Sequence, residues 1–319
     1  MARLFRILRR LPYEIRTTML PFHPLAIASA LCLALPAAPA LAAGSKLLLT
    51  GGVSSIDGAA GGGLTPWAVT GSYATGREIG ATAFATRAVT NDYALSVAGA
   101  AVGFGERAEL SIARQDFATG DNLAPLGLAG LHLKMNVIGA KLRVAGDAVL
   151  DSDSAVPQVA LGVLHKRVDT GTLSPTLTGT LGARETGTDV YLSATKLFLA
   201  QGVLVNGTLR ATKANQNGLL GFGSASHSGY RLQPELSVAL LLRRDLAIGA
   251  EYRAKPDNLN ESALGAGALK EDDWADLFLA WAPNKNLSLT LAWVDLGRIA
   301  PAVQPRKQRG TYLSAQVAF

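Results

Sequence analysis

The sequence predicts an all-β fold: an exported, antiparallel transmembrane β-barrel of about fourteen strands, with twelve to sixteen allowed. Three observations predict it. A basic, then apolar, leader opens the chain; amphipathic segments of period two fill the remainder; and the last residue is Phe319, preceded by apolar residues at alternate positions.

The leader comes first. Arg3, Arg6, Arg9, Arg10 and Arg16 precede the apolar stretch LAIASALCLALPAAPALA, and Ala40-Leu41-Ala42 supplies the small-x-small pattern cut by a signal peptidase. The chain therefore divides into a signal peptide over 1–42 and a barrel over 43–319. Met19 is an alternative start that leaves the cleavage site unchanged. Arg9-Arg10 lacks a preceding Ser or Thr and is followed closely by Pro12, which argues against a folded-export signal. The single cysteine, Cys32, falls inside the leader, so the mature chain has no disulfide to stabilise it. The formal charge of +6 is carried mostly by the leader; without its five arginines and Glu14 the charge is +2, and no nucleic-acid partner is expected.

The mature part is 49% hydrophobic in whole-chain terms yet has only 6% aromatic and 17% charged residues, with 34 glycines, a balance that suits short strands and turns. Nowhere does it offer eighteen consecutive apolar residues, which excludes helical spans. Period two is plain in YRLQPELSVALLL: Tyr230, Leu232, Pro234, Leu236, Val238, Leu240 and Leu242 share one face, and Arg231, Gln233, Glu235 and Ser237 the other. Candidate strands lie near 46–54, 66–75, 79–89, 93–104, 107–117, 132–145, 156–168, 188–198, 202–213, 230–242, 246–255, 273–282, 286–295 and 310–319. The segment 79–89 has little contrast, and 132–145 changes phase around Gly139, as at a bulge.

Connection lengths orient the strands, because bacterial barrels have short periplasmic turns and longer external loops. Counting back from a periplasmic C-terminus puts the short links 76–78, 105–106, 199–201, 243–245 and 283–285 in the periplasm. The long links 118–131, 169–187, 214–229, 256–272 and 296–309 fall outside. The short external link 90–92 and the long periplasmic one 146–155 fit less well. Tyr73, Phe104, Phe198, Trp281 and Phe319 are expected at periplasmic ends, with Tyr93, Tyr230 and Trp293 at external ones. Tyr312, Leu313, Ala315, Val317 and Phe319 form the candidate barrel assembly signal.

Charges facing the lumen are the functional lead, since lipid-facing positions carry charge only at a cost. Arg210, Arg231, Glu235, Glu251, Arg253 and Asp276 point inward in this register. They form either a mixed-charge constriction or polar patch, or ion pairs that brace the interior. The glycine-rich GAAGGG at 58–63 lacks the Gly-Lys-Ser/Thr of a phosphate loop and reads as a flexible loop or plug tip. Asp151 and Asp153 are too few ligands for calcium. His132, His165 and His227 are scattered; Ser226 and Ser228 flank His227 in sequence, but adjacent residues point apart and make no triad. Neither a metal nor a cofactor is expected, and no enzyme.

The stretch KLLLTGGVSSIDGAAGGGLTPWAV at 46–69, with VAGDAV at 144–149 and PQVALGV at 157–163, resembles a bacterial family called domain of unknown function 3034. The resemblance spans nearly all the mature chain. It implies an exported Gram-negative protein of the outer-membrane barrel class and transfers no site residues.

The resulting expectation is a passive channel or transporter for small solutes in the outer membrane. Outer-membrane lipids and the barrel assembly machinery are its expected partners. Fourteen strands would enclose a backbone diameter of roughly 28 Å. The alternative is a non-transport structural or adhesive barrel with a lumen packed shut; a lipid hydrolase using His227 or His165 ranks third.

Overall fold

Alternating inward and outward side chains drive the chain into a closed wall. The computed structural model describes residues 46–146 and 156–319. The expected cleavage residues Ala40 and Ala42, and Asp151 and Asp153, lie outside the described residues. The wall strands are β1 (Ile79–Thr90), β2 (Ala94–Phe104), β3 (Ala108–Ala118), β4 (His132–Ala145), β5 (Gln158–Asp169) and β6 (Thr186–Phe198). They continue with β7 (Val203–Thr212), β8 (Arg231–Arg243), β9 (Leu246–Arg253), β10 (Trp274–Asn284), β11 (Leu287–Asp295) and β12 (Arg309–Ala318). Each pairs antiparallel with its sequence neighbours, and β12 returns to β1 in a register running from Gly310↔Thr90 to Ala318↔Thr82. Phe319 N donates to Ala81 O and Ala81 N to Phe319 O, extending the closing ladder by one pair. Closure leaves no sheet edge with unpaired backbone groups, which is what lets strands cross hydrocarbon.

The side chains sort as the period dictates. On β8, Leu232, Leu236, Val238 and Leu242 are exposed on the outer wall, whereas Gln233, Glu235 and Ser237 are buried inside. Ile112, Ile138, Leu161, Leu192, Leu277, Leu291 and Leu313 continue the apolar outer surface around the wall. In water so large an apolar surface would be a liability; against lipid it is the required contact. One end of the barrel carries the short turns and the other the long loops, apart from the tight β1–β2 link at Asn91–Asp92 at the loop end and the longer β4–β5 link, residues 146–157, at the turn end. These are called the turn end and the loop end. At the loop end Leu177, Leu181, Leu259 and Leu269, from two different loops, form their own apolar cluster. Trp281, Phe104 and Phe198 are exposed at the turn end and Tyr230 and Trp293 at the loop end. Tyr93, expected in the external girdle, is instead buried, its ring 5.2 Å from that of Phe117.

The wall has twelve strands, within the expected range of twelve to sixteen and two fewer than its central value of fourteen. The two expected at 46–54 and 66–75 are not in the wall. The β12–β1 pairing closes the sheet and offers them no edge, and they lie in the lumen instead, with every residue from Val53 to Ser72 buried. Size explains why there is room. Twelve tilted strands span roughly 24 Å across the backbone, whereas eight strands are about the number whose own side chains fill the interior.

The phase change expected near Gly139 has a different origin. Burial alternates without interruption from His132 to Leu142, and the only register shift of β4 against β5 falls between Arg143 and Ala145. What changes is the chemistry on each face. Toward the loop end Lys134 and Asn136 face outward while Leu133, Met135 and Val137 face inward. Nearer the turn end Ile138 and Leu142 face outward and Lys141 inward. His165 and Arg167 are likewise outward at the loop end of β5, so the strands on this side extend beyond the apolar band.

Candidate functional site: the plugged lumen

A segment inside a barrel must find partners for its own peptide groups, because a buried unpaired N–H or C=O costs about 1–3 kcal/mol. Residues 46–76 have little secondary structure with which to do so. Their ladder is two residues long, Val53–Ser54 against Ala60–Gly61. The inward side chains of the wall supply the missing partners. Glu251 on β9 accepts from Leu64 N at 2.7 Å, Thr65 N at 3.2 Å and the Thr65 hydroxyl. Glu109 on β3 accepts from Ala60 N at 3.1 Å and Gly71 N at 2.6 Å. Lys141 on β4 donates to Ala60 O at 2.9 Å and Val69 O at 2.7 Å, and pairs with Glu109 at 3.1 Å. Thr208 donates to Pro66 O, Gln158 to Ala68 O and Gln115 to Ile56 O, each at 2.7–2.8 Å. The polar face of the wall is therefore a mould for one particular backbone path.

Glycines at the tip allow the close approach. A Cβ on Gly62 would stand 2.3 Å from Glu251 Oε1, and Gly63 turns the chain at φ +125°. The segment rises from the turn end, where Lys46 donates to Ser72 O at 3.2 Å, to a tip near Asp57 and returns to the turn end at Gly76. The GAAGGG stretch is thus a plug tip, one of the two readings its composition allowed.

The tip ends in charge. Asp57 lies 3.0 Å from Arg210, 3.2 Å from Lys166 and 3.8 Å from Arg253, and accepts from Asn217 Nδ2 at 2.9 Å. The wall's own anions complete the cluster: Glu235 pairs with Arg210 at 2.6 Å and Arg253 at 3.3 Å, and Asp189 with Lys166 at 3.1 Å and Arg210 at 3.4 Å. Each of these six charged side chains is at most 1% exposed. The wall contributes three cations and two anions, and the plug contributes the third anion. In a low-dielectric interior that balance matters, because an unpaired buried charge is strongly destabilising. Asp57 is the group that balances this cluster.

Of the six residues expected to face the lumen, Arg210, Glu235, Glu251, Arg253 and Asp276 are buried inside. Arg210, Glu235 and Arg253 meet in the cluster. Glu251 holds the plug's turn, and Asp276 is its neighbour across the β9–β10 pair. Arg231 sits partly buried at the loop-end start of β8, outside the cluster. Sequence reasoning missed Lys166, Asp189, Glu109, Lys141 and Asp57. Parity could have found four of them: Leu161 and Val163 outward put Lys166 inward, as Val190 does for Asp189, Leu110 for Glu109 and Leu142 for Lys141. No periodic signal marks Asp57.

The terminal strand places Leu313 and Ala315 on the outer face, Val317 half-buried and Tyr312 in the lumen, with Phe319 exposed at the turn end. The histidines lie apart. His132 meets Asp116, His165 Nδ1 lies 3.0 Å from Thr188 Oγ1 on the outer surface, and His227 Nε2 has no hydrogen-bond partner. Among the described residues, no group of His, Cys, Asp and Glu is suited to holding a metal ion.

A closed antiparallel wall with an apolar exterior and a polar interior defines a β-barrel of the outer-membrane type, here with its lumen occupied by the chain's own N-terminal part. The chain belongs to the family described as "Protein of unknown function (DUF3034)", which it matches over residues 50–316. No curated protein sequence matches it. Among solved structures it is similar to the KdgM porin in complex with disordered oligogalacturonate, with 10% identity, a TM-score of 0.47, and coverage of 75% of this chain and 99% of that one. It is also similar to the NanC porin, with 7% identity, a TM-score of 0.46, and coverage of 74% and 98%. A third similarity is to outer membrane phospholipase A from Escherichia coli, with 10% identity, a TM-score of 0.40, and coverage of 75% and 92%.

Proposed function

We propose that this barrel is an outer-membrane conduit for small solutes whose resting state is closed by its own residues 46–76. The observation that carries this reading is the charge of the cluster at the plug tip: its wall members Lys166, Arg210, Arg253, Asp189 and Glu235 carry one more cation than anion, and Asp57, on the plug, balances them. The plug is attached by hydrogen bonds and ion pairs that water can replace when it moves, rather than by a continuous ladder with the wall. In this reading the turn end faces the periplasm and the leader over 1–42 directs export. The segment from Tyr312 to Phe319 serves as the recognition signal for the assembly machinery.

The test is to tether the plug. Ser54 Oγ donates to Gln316 Oε1 at 2.7 Å, which joins the plug to β12. Cysteines at both positions would be the only ones in the mature chain, and a short bifunctional thiol reagent would bridge them. Proteoliposomes carrying the unbridged protein should swell in a small sugar, and bridging should abolish the swelling. Equal swelling before and after bridging would refute the moving plug. The filled lumen also favours a second reading, a static barrel acting through its loops, which predicts no swelling in either state.

A further inference from the structure

Between the plug tip and the loops the lumen changes character. Barrel interiors are ordinarily polar, and the middle of this one is, but toward the loop end the inward positions become Leu133, Phe117 and Trp274 on the wall. Ile56 and Leu64 of the plug form the floor, and Leu219 and Ile299 of the loops form the roof. Together with their neighbours they enclose a cavity of about 50 Å³ with only apolar atoms on its surface. Lumen side chains that merely braced a wall would not need to be apolar here, since the adjoining sector is filled by ion pairs.

We propose that this chamber is a binding site for a small apolar molecule, of the class of a single aromatic ring or short hydrocarbon, held between the plug and the loop roof. The inference deepens the conduit reading and rests on it for the direction of passage, but binding itself needs no flux. Three features support the ligand class. An apolar cavity of this kind stays dry and favours apolar occupants over water. Gln216, Trp274 and Tyr312 are among its lining residues but expose only apolar atoms to it, so a sugar or ion would enter at the cost of its hydration. Its lining includes Leu64, Leu133 and Leu219 and the aromatic side chains of Phe117 and Trp274, the surface that an apolar ring or chain packs against.

Position fits transit as well. The floor residue Ile56 precedes Asp57, and the floor residue Leu64 itself donates its N–H to Glu251. A molecule in the chamber therefore presses on the element that must move for passage. The roof residue Leu219 follows Asn217, whose side chain donates to Asp57.

Trp274 lines the chamber and serves as the reporter. In a Trp67→Phe/Trp281→Phe/Trp293→Phe background, which leaves Trp274 as the one indole, bromobenzene is titrated into the refolded full mature chain in detergent. Saturable quenching is expected, at least tenfold weakened by Leu219→Phe, which fills the cavity from the roof, with no quenching by potassium bromide. Quenching that rises linearly with bromobenzene and is unchanged by Leu219→Phe would overturn the proposal. Should Leu219→Phe lose the heat-modifiable gel mobility of a folded barrel, Ile299→Phe fills the opposite side of the roof and is read in the same way. Saturable binding without any liposome swelling would keep the site and discard the conduit. Swelling without saturable binding would do the reverse.

Discussion

Replacing Asp57 with asparagine keeps the shape of the plug tip and removes one negative charge from a cluster that is neutral only with it. The structure sets the size of the effect. Asp57 is 3.0 Å from Arg210 and 3.2 Å from Lys166, with all three side chains at most 1% exposed. Breaking such a pair from one side costs about 3–5 kcal/mol, because it leaves a buried charge uncompensated. The wall can relieve that cost by releasing the plug and hydrating its cations, so the closed state should lose about 3 kcal/mol relative to the open one. At about 1.4 kcal/mol per factor of ten, the open-to-closed ratio rises by roughly two powers of ten. Planar-bilayer recording reads this ratio as open probability. The same cluster supplies the control. Lys166→Met added to Asp57→Asn leaves Arg210 and Arg253 facing Asp189 and Glu235, which restores neutrality and should reclose most of the channel, a coupling that a double-mutant cycle measures directly. An open probability for Asp57→Asn within twofold of the parent, or no reduction on adding Lys166→Met, would refute the argument that charge balance closes the lumen.

Two further outcomes follow from the geometry. Gly62→Ala places a Cβ 2.3 Å from Glu251 Oε1. It should displace the carboxylate from Leu64 N and lower barrel stability by about 1–3 kcal/mol, read as a fall in the midpoint of denaturant unfolding in lipid vesicles. At the loop end, hydrogen bonds from the Arg298 guanidinium hold the Asp272 carboxyl down at about 2. Because that folded value is depressed, the stabilisation is present above the ordinary carboxylate range near 4 and is lost as pH falls from there through about 2. Protease sensitivity of the 254–273 loop should therefore rise below pH 4, and Asp272→Asn should flatten that acid limb.

The wall was legible because its rule is local. Tyr230 to Leu242 alternates so cleanly that one strand of sequence decides which side meets lipid, and the same parity places Arg210, Glu235, Glu251 and Arg253 inside. Loop lengths and the even strand count follow from the same reading. The plug was not legible, because local pattern does not distinguish a strand of the wall from an extended segment lying within it. Residues 66–75 carry enough alternation to pass for wall, yet their peptide groups bond to Glu109, Lys141, Gln158 and Thr208 rather than to a neighbouring strand.

By itself, the sequence determined the class of fold, the faces of most wall strands and, through their parity, most of the inward charges, since each of these depends on spacing along the chain. The tertiary structure alone decided that the sheet closes between β12 and β1, that the first two candidate strands fall inside, and that Asp57 meets Lys166, Arg210 and Arg253. Those outcomes depend on where the ring of hydrogen bonds closes and on how much space it encloses, and closure is a property of all twelve strands together.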